Sequence, residues 1–313
     1  MKNFDIDLVY LWCDGSDTKF AQQKCARMQQ CGATAKGNED CRYVQVDELK
    51  YSLRSVAMYM PWIHHIYIVT NNQVPKWFRP HEKITIVDHS EILPESARPC
   101  FNSQALECCL HKIPNLAEHF IYANDDCFVG RNVSPSFFYE RMGKPIVRWK
   151  KTTPWEDLYW TTLQAAYNTI KQRYGVTYGC YEPHHNMDAY TKNILANCEK
   201  EFSDLFHYTI HQPFRNEACL QRLLFHLYAL VKKQAKMKDV SKTIIQRIMK
   251  RLHIARIDSM HLSNLQPPEI LIPYRPALFC INDGEFSTDE AREQVVRFLE
   301  TRFPLKSPFE RED

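Results

Sequence analysis

The chain has 313 residues, of which 44% are hydrophobic, 25% charged and 12% aromatic. This composition is typical of a folded globular protein and excludes collagen-like and disordered chains. The net charge of +3 provides no whole-chain field for nucleic acid, so we expect no nucleic-acid partner and expect any anionic ligand to be bound locally.

No stretch of the sequence has the eighteen or so uncharged apolar residues that a membrane span needs. The first residues, Met1 to Asp5, also lack the apolar core of a signal peptide. We therefore predict a cytoplasmic protein, with the inner face of the membrane as the place of any peripheral contact. The twelve cysteines are predicted as free thiols, because disulfide frameworks are typical of short secreted chains, although a bridge or metal among Cys25, Cys31 and Cys41 stays open.

The first half of the chain alternates predicted strands and helices in the order of an α/β sheet. Short apolar runs predict four strands, at residues 7–12, 65–70, 84–87 and 120–123. Apolar residues at helical spacing predict helices at 47–60 and 102–111. The stretch 20–42 is polar with little periodicity, and we predict that it lies on the surface without a core element.

An Asp or Asn follows each predicted strand, at Asp14, Asn71, Asp88 and Asn124. In α/β sheets ligands bind beyond the carboxyl ends of the strands, so this pattern predicts a polar site at one sheet edge. Turn formation is the alternative explanation, because both residue types favour turns.

The second half is predicted to be mainly helical, with apolar helix faces at 187–198 and 220–230 and a last helix that is capped at 287–290 and ends before Pro304. Nine Lys and Arg residues face a single acid between Val231 and Ile257. We predict that this basic helical segment, 231–257, is either a solvated face or a surface for anionic lipid or a polyanionic product.

Two groups of residues carry the candidate chemistry. Asp125 and Asp126 are typical of a Mg²⁺ site, because Mg²⁺ takes one or two carboxylates plus phosphate oxygens and water. Asp14 and Asp17 flank Gly15 and Ser16, where glycine permits close approach of a ligand and the serine can donate to phosphate. A capped loop is the alternative explanation for this second group.

A basic and imidazole-rich group follows later in the chain. It comprises His184, His185, His207, His211 and Arg215. Phosphate chemistry needs a permanent cation, which arginine supplies, and a base that titrates near neutrality, which histidine supplies. Any single histidine is more often a surface or hydrogen-bonded residue, so the residues alone leave the choice open.

Four sets of motifs appear in order along nearly the whole chain. They are 7–17; then 47–55, 61–62, 66–71, 101–103 and 122–126; then His185 with 214–215; and last 280–283 with 303–304 and 307–310. The chain thereby resembles the Stealth family of sugar-phosphate transferases, which includes bacterial capsule polymerases and the catalytic subunit of N-acetylglucosamine-1-phosphotransferase. The fourth set departs from the family, because Gly284 and Glu285 follow Asp283 where a second acid is common.

The resemblance implies a GT-A-like, Rossmann-type α/β core that binds a nucleotide sugar at 1–150, and a mainly helical half, 151–313, that completes one catalytic unit. It implies transfer of sugar 1-phosphate from a nucleotide-diphosphate sugar to an acceptor hydroxyl, with release of nucleoside monophosphate, in capsule or cell-surface polysaccharide synthesis. The expected donor is a UDP-sugar, the expected acceptor a glycan or sugar phosphate, and the expected cofactor Mg²⁺ or Mn²⁺.

The resemblance also implies roles for individual residues. His185 is the expected base, with His184 as its alternative, Arg215 is the phosphate clamp, and Asp14 joins them in the catalytic group. Asp125, Asp126 and Asp283 are expected to hold the metal. The substrate-binding residues are expected to be Gly15, Ser16, Asp17, Arg54, Asn71, Asn102, Ser103 and Asn124. A glycosyltransferase that releases nucleoside diphosphate, a non-catalytic sugar-nucleotide or glycan-binding module, and a membrane-surface adaptor remain as alternatives.

Overall fold

The centre of the protein is a strand that is buried along its whole length, β1 (Ile6–Leu11). The computed structural model describes residues 4–32, 38–241, 257–265 and 275–312. In it, β1 lies in a five-stranded sheet of order β3-β2-β1-β4-β8, whose other strands are β2 (Ile66–Thr70), β3 (Ile84–Asp88), β4 (His119–Asn124) and β8 (Asp188–Thr191). All pairings are parallel except that of β8 with β4. The predicted α/β class is confirmed.

Both faces of this sheet are covered, which explains why β1 reads as a continuous apolar run. Val9 and Leu11 belong to the apolar cluster on one face, and Leu8 and Tyr10 belong to the cluster on the other. Asp7 is the buried exception, and its carboxylate accepts a hydrogen bond from the backbone N–H of Ala117 at 2.7 Å. The sheet is therefore a fully enclosed layer that fixes the positions of its strand ends.

Nine α-helices surround the sheets in the described part of the chain. They are α1 (Thr18–Cys31), α2 (Glu48–Tyr59), α3 (His89–Ile92), α4 (Ser103–Glu107), α5 (Leu158–Tyr174), α6 (Lys192–Glu201), α7 (Ser203–Ile210), α8 (Leu223–Val231) and α9 (Asp289–Arg302). Within the described ranges, none of the helices combines the length and apolar character that crossing a membrane requires.

Helix α1 overlaps the first part of the stretch 20–42, which was predicted to lie on the surface without a core element. The Asp17 side chain caps its first turn by accepting from the Phe20 N–H at 2.7 Å, and Gly32 ends it with φ at 60°. Phe20 is its only buried residue, so the helix carries no apolar periodicity for a sequence pattern to reveal.

The second half contributes strands as well as helices α5 to α9. Besides β8, the smaller sheets contain β5 (Cys127–Val129), β6 (Ile146–Lys151), β7 (Tyr181–Pro183), β9 (Lys236–Asp239), β10 (Ser259–Ser263) and β11 (Leu278–Asn282), in the orders β10-β11-β5 and β7-β6-β9. Strands from residues after 150 thus pair with strands from residues before it.

Two helical predictions in this half are wrong in part. The face predicted over 187–198 is divided, because its first residues form β8 and the helix begins only at Lys192, where the Thr191 side chain caps it. In the basic segment 231–257, residues 236–239 form the strand β9, whose pairing with β6 overrides the helical pattern. Residues 242–256 of that segment lie outside the described residues.

A buried ion pair ties the C-terminal residues to α2. The Arg54 guanidinium donates from Nε to Glu310 Oε1 at 2.9 Å and from Nη1 to the Phe303 carbonyl oxygen at 2.9 Å. The side chains of Arg54 and Glu310 are only 10% and 3% exposed. Burial opposes ionisation of Glu310, but hydrogen bonds from Arg54 and Ser307 outweigh it and lower the pKa of this carboxyl. Each charge therefore depends on the other to remain in the interior.

We expect Glu310→Gln to destabilise the protein by about 3 kcal/mol, because it leaves the Arg54 charge buried without a counter-charge. Urea unfolding at neutral pH measures this loss. The control is Arg297→Gln, whose partner Glu293 lies 3.4 Å away and whose side chain is 69% exposed, and it should cost less than about 1 kcal/mol. Because the Glu310 pKa is lowered, the wild-type advantage should disappear as pH falls through that pKa. Equal losses in the two variants would contradict the assignment.

Candidate functional site

The candidate site lies at the edge of the main sheet where β1, β2 and β4 end. These strands are parallel, so their carboxyl ends meet at one edge. Strand β8 runs the opposite way, and its first residue, Asp188, pairs with Tyr122 near the end of β4. The loop before β8, which carries His184 and His185, therefore reaches the same edge. Strand β11 reaches it through its pairing with β5, the strand that follows Asp126.

The turn after β1 is built by its own side chains. Asp14 Oδ1 accepts from the Ser16 N–H at 2.9 Å and from the Ser16 hydroxyl at 2.7 Å, while Asp17 caps α1. A side chain at Gly15 would meet Tyr43 atoms at 2.6 Å, so only glycine fits this approach. The polar groups of Ser16 and Asp17 are thus engaged in the turn and the helix cap, as the alternative explanation of a capped loop predicts.

A glutamine that the sequence analysis missed holds the Asp14 backbone. The Asp14 N–H donates to Gln73 Oε1 at 3.0 Å, and Gln73 Nε2 donates to the Asp14 carbonyl oxygen at 2.9 Å. Gln73 is buried beyond the end of β2, so this pair of hydrogen bonds connects the ends of β1 and β2. Asn71 directly follows β2, and its buried side-chain nitrogen donates to no partner among the described residues.

Three carboxylates, those of Glu48, Asp125 and Asp126, lie near the end of β4 and influence one another's ionisation. Asp125 Oδ2 accepts from Gln45 Nε2 at 2.9 Å, and Gln45 Oε1 in turn accepts from Trp12 Nε1 at 3.0 Å. Glu48, at the start of α2, is 7% exposed and faces Asp125 and Asp126. Neither Gln45 nor Glu48 was predicted, because the loop before α2 reaches the site only in the folded chain.

The carboxylates destabilise one another's charged forms. Burial and then repulsion by Asp125 raise the pKa of both Glu48 and Asp126, and burial raises the pKa of Asp125 itself. Carboxylate oxygens are hard donors, the type that Mg²⁺ or Mn²⁺ prefers. The chemistry of Asp125 and Asp126 therefore fits a hard divalent cation.

His185 lies beside residues from β10 and β11. Its Nε2 is 3.5 Å from the side-chain nitrogen of Asn282, and its ring lies 4.7 Å from the ring of His261, centroid to centroid. Burial, followed by the charge of Arg222, lowers the pKa of His185 well below its ordinary value. The imidazole is therefore neutral at neutral pH, the form that can accept a proton. Burial also lowers the pKa of His184, to about 3.

Arg215 lies in the loop between α7 and α8. Its Nη2 donates to the Ser103 hydroxyl at 2.6 Å, and burial lowers the pKa of the guanidinium. Asn102 is fully buried, caps α4, and donates to the carbonyl oxygens of Gln212 and Phe214 just before Arg215. Asn102 therefore positions the Arg215 loop. Over the described ranges, no acid forms an ion pair with Arg215.

The acidic and basic sides share one neighbourhood. Burial and the charges of Asp125 and Asp14 raise the pKa of the Cys13 thiol to about 12, while Lys24 and Arg215 act to lower it. Asn124 completes the edge, where its Oδ1 accepts from the Tyr122 hydroxyl at 2.8 Å. An acidic side and a basic side within reach of one ligand suit a metal-bound diphosphate.

Two predicted residues have different partners. The carboxylate of Asp283 accepts from Arg292 Nε at 2.9 Å and from the Gly284 N–H at 2.7 Å. A Cβ at Gly284 would lie 2.0 Å from Asn264 Oδ1, so the Asn264 side chain would have to move to accept a larger residue. The guanidinium of Arg54 donates to Glu310, as described above, and not to any of the candidate site residues.

Comparison with known proteins identifies two matching stretches. Residues 42–147 match conserved region 2 of the Stealth proteins, and residues 271–313 match conserved region 4. The first stretch contains Asp125 and Asp126, and the second contains Asp283.

Several relatives are called exopolysaccharide phosphotransferases. Over 98% of its length the chain is 33% identical to CpsY of Mycobacterium leprae, covering 57% of that protein, and 32% identical to a relative from Nocardia farcinica, covering 61%. It is 43% identical over 45% of its length to cps2G of Lactiplantibacillus plantarum, covering 41% of it. The chain spans less than two thirds of each of these curated relatives. The matches to conserved regions 2 and 4 show that the chain belongs to the Stealth family.

Proposed function

We propose that the chain is a phosphotransferase of polysaccharide synthesis that moves sugar 1-phosphate from a nucleotide-diphosphate sugar, with a UDP-sugar as first candidate, to an acceptor sugar hydroxyl. The observation that carries the proposal is that mutually repelling carboxylates, Asp125 and Asp126, lie near a cation, Arg215, that forms no ion pair within the described ranges. The names of the relatives support the same reaction class.

In this reaction the acceptor oxygen attacks the phosphorus that carries the sugar. The new bond joins the acceptor oxygen to that phosphorus, and the bond from it to the bridging oxygen breaks, so that nucleoside monophosphate leaves with the electron pair. The neutral imidazole of His185 takes the acceptor proton, and Arg215 donates hydrogen bonds to the phosphate oxygens. The bond between the anomeric carbon and its oxygen is untouched, so anomeric configuration is retained.

The cofactor in this proposal is Mg²⁺ or Mn²⁺ held by Asp125 and Asp126. When bound, the cation supplies charge neutralisation of the diphosphate. Asp283 pairs with Arg292 instead, so its assignment as a ligand depends on that ion pair opening. Asn71, Asn124 and the turn at Asp14 and Gly15 remain the proposed contacts to the donor.

The released nucleotide tests the reaction. Purified protein is incubated with Mg²⁺, a panel of nucleotide sugars and short glycan acceptors, and the nucleotide product is separated by chromatography. We expect nucleoside monophosphate. Release of nucleoside diphosphate would instead indicate a glycosyltransferase, and donor binding without turnover would indicate a non-catalytic module.

Metal binding should stabilise the protein in a pH-dependent way. Because the pKa values of Glu48, Asp125 and Asp126 are raised, the metal-free protein loses stability as pH rises from the usual carboxyl range through these pKa values. Mg²⁺ or Mn²⁺ should therefore raise Tm more at pH 8 than at pH 5, as measured by differential scanning fluorimetry.

Asp125→Asn should abolish this Tm shift and lower turnover more than tenfold, since each ~1.4 kcal/mol of lost charge stabilisation costs a factor of ten. The control, Asp204→Asn, changes an exposed acid at the start of α7 and should keep both properties. Full activity of the wild type in excess chelator would rule out the metal assignment.

His185→Ala should lower kcat/KM by roughly 10²–10⁴-fold while nucleotide binding survives. Because the pKa of His185 is lowered, the wild-type acid limb should lie below pH 6.5, and the variant should lose that limb. His184→Ala is the neighbouring control and should have a much smaller effect. If His185→Ala kept near-wild-type turnover and an unaltered limb, His184 would replace it as the proposed base.

Arg215→Ala should lower kcat roughly 10²–10³-fold, the usual effect of removing one donor to developing charge. The shape of the pH profile should not change, because a guanidinium stays protonated across the assay range. Steady-state kinetics from pH 5 to 9 measure both effects. Arg173→Ala, an exposed arginine paired with Glu201, is the control. A small effect of Arg215→Ala, matched by that of the control, would rule out a phosphate contact.

A further inference from the structure

A second group of metal-ligating side chains lies next to the carboxylates. It consists of His185, His261 and Cys280, and one ligand atom from each lies within 4.8 Å of the others. Cys280 is fully buried on β11, whereas His185 and His261 are half-buried. His261 belongs to β10, the strand that pairs with β11, and it has no role in the reaction proposed above.

The spacing is close to that of a tetrahedral metal centre. With bonds of about 2.0–2.1 Å to nitrogen and about 2.3 Å to sulfur, tetrahedral ligands lie about 3.6 Å apart. Because the three atoms lie within 4.8 Å of one another, they need to approach by at most about 1.2 Å to reach that spacing. A water molecule would take the fourth position.

One atom of the group has an unmet hydrogen-bonding requirement. His261 Nε2 is buried and has no partner among the residues that the structure describes. A buried polar atom without a partner costs free energy, and a bound cation would satisfy it. The 41° angle between the two imidazole planes excludes a simple stacked pair as the reason for their approach.

Cys280 belongs to two groups of possible ligands. Its sulfur lies within 4.8 Å of a ligand atom of Asp126 and of Cys127, and also within 4.8 Å of a nitrogen of each imidazole. The carboxylate side suits hard cations such as Mg²⁺, whereas two imidazole nitrogens and a thiolate suit Zn²⁺. The two sides can therefore discriminate between metals.

We propose that His185, His261 and Cys280 form a binding site for a soft divalent metal ion of the Zn²⁺ class, distinct from the carboxylate site. On binding, the Cys280 thiol loses its proton to solvent and a sulfur–metal bond forms, while each imidazole donates a nitrogen lone pair. If His185 is the base, as proposed above, metal binding occupies the nitrogen that would accept the proton, and the ion inhibits transfer.

Cobalt provides a direct measurement of this site. Metal-free full-length chain is titrated with Co²⁺, whose bond to a thiolate gives an absorption band in the near ultraviolet. We expect the band in the wild type, its bleaching by Zn²⁺, and no bleaching by excess Mg²⁺. Cys280→Ser should lose the band. His261→Ala should weaken Co²⁺ binding at least about tenfold, and it tests the site independently if Cys280→Ser does not fold.

The matched control is the double variant Cys25→Ser with Cys31→Ser, which removes two exposed thiols on α1. It should keep the band. A wild type without the band, a band that persists in Cys280→Ser, or a band lost only in the α1 variant would overturn the site.

Inhibition is measured separately. Zn²⁺ should inhibit the wild type at concentrations at least about tenfold lower than it inhibits His261→Ala. Binding without inhibition would leave the metal site standing and would overturn the role of His185 as base. An inactive wild type that still shows the cobalt band would overturn the proposed reaction and leave the site intact.

Discussion

The burial of β1 between β2 and β4 is the constraint on which the rest of the structure depends. A strand with both faces covered and both edges paired cannot shift register without exposing apolar surface on both sides. Its end is therefore fixed, and with it the turn at Asp14. The hydrogen bonds of Gln73 to Asp14 and the Gln45 bridge to Asp125 then hold the neighbouring strand ends against it. The candidate site has a rigid base.

The charged residues at this sheet edge lower the stability of the folded protein when no ligand is bound. Carboxylates that repel one another, and the half-buried Arg215 without an acidic partner in the described ranges, are both unfavourable arrangements by themselves. The enclosed sheet contributes the packing that outweighs them. A ligand that carries both a cation and phosphates would neutralise the carboxylates and pair with Arg215 at the same time. Such an arrangement lowers the stability of the ligand-free protein but favours ligand binding.

Sequence patterns predicted the elements that follow simple periodicity and missed those that depend on distant contacts. Helix α2 and the parallel strands have clear apolar patterns, whereas α1 buries only Phe20 and gives no such signal. Strand-end acids such as Asp125 were predictable because the α/β order alone brings strand ends together. Glu48 and His261 were not, since nothing local relates them to the site. Arg54 was predicted from a motif, but its position on α2 directs it to Glu310.

The pairing of β5 with β11 also affects how the protein folds. These two strands are separated by about half of the chain, and β11 carries Cys280 and Asn282 into the site. Long-range pairings of this kind close slowly, because the entropy of a large loop must be lost first. During synthesis β5 emerges long before its partner, so its hydrogen-bonding edge remains open to other chains until β11 has left the ribosome. The strand that completes the site is thus also the one that protects the nascent chain from aggregation.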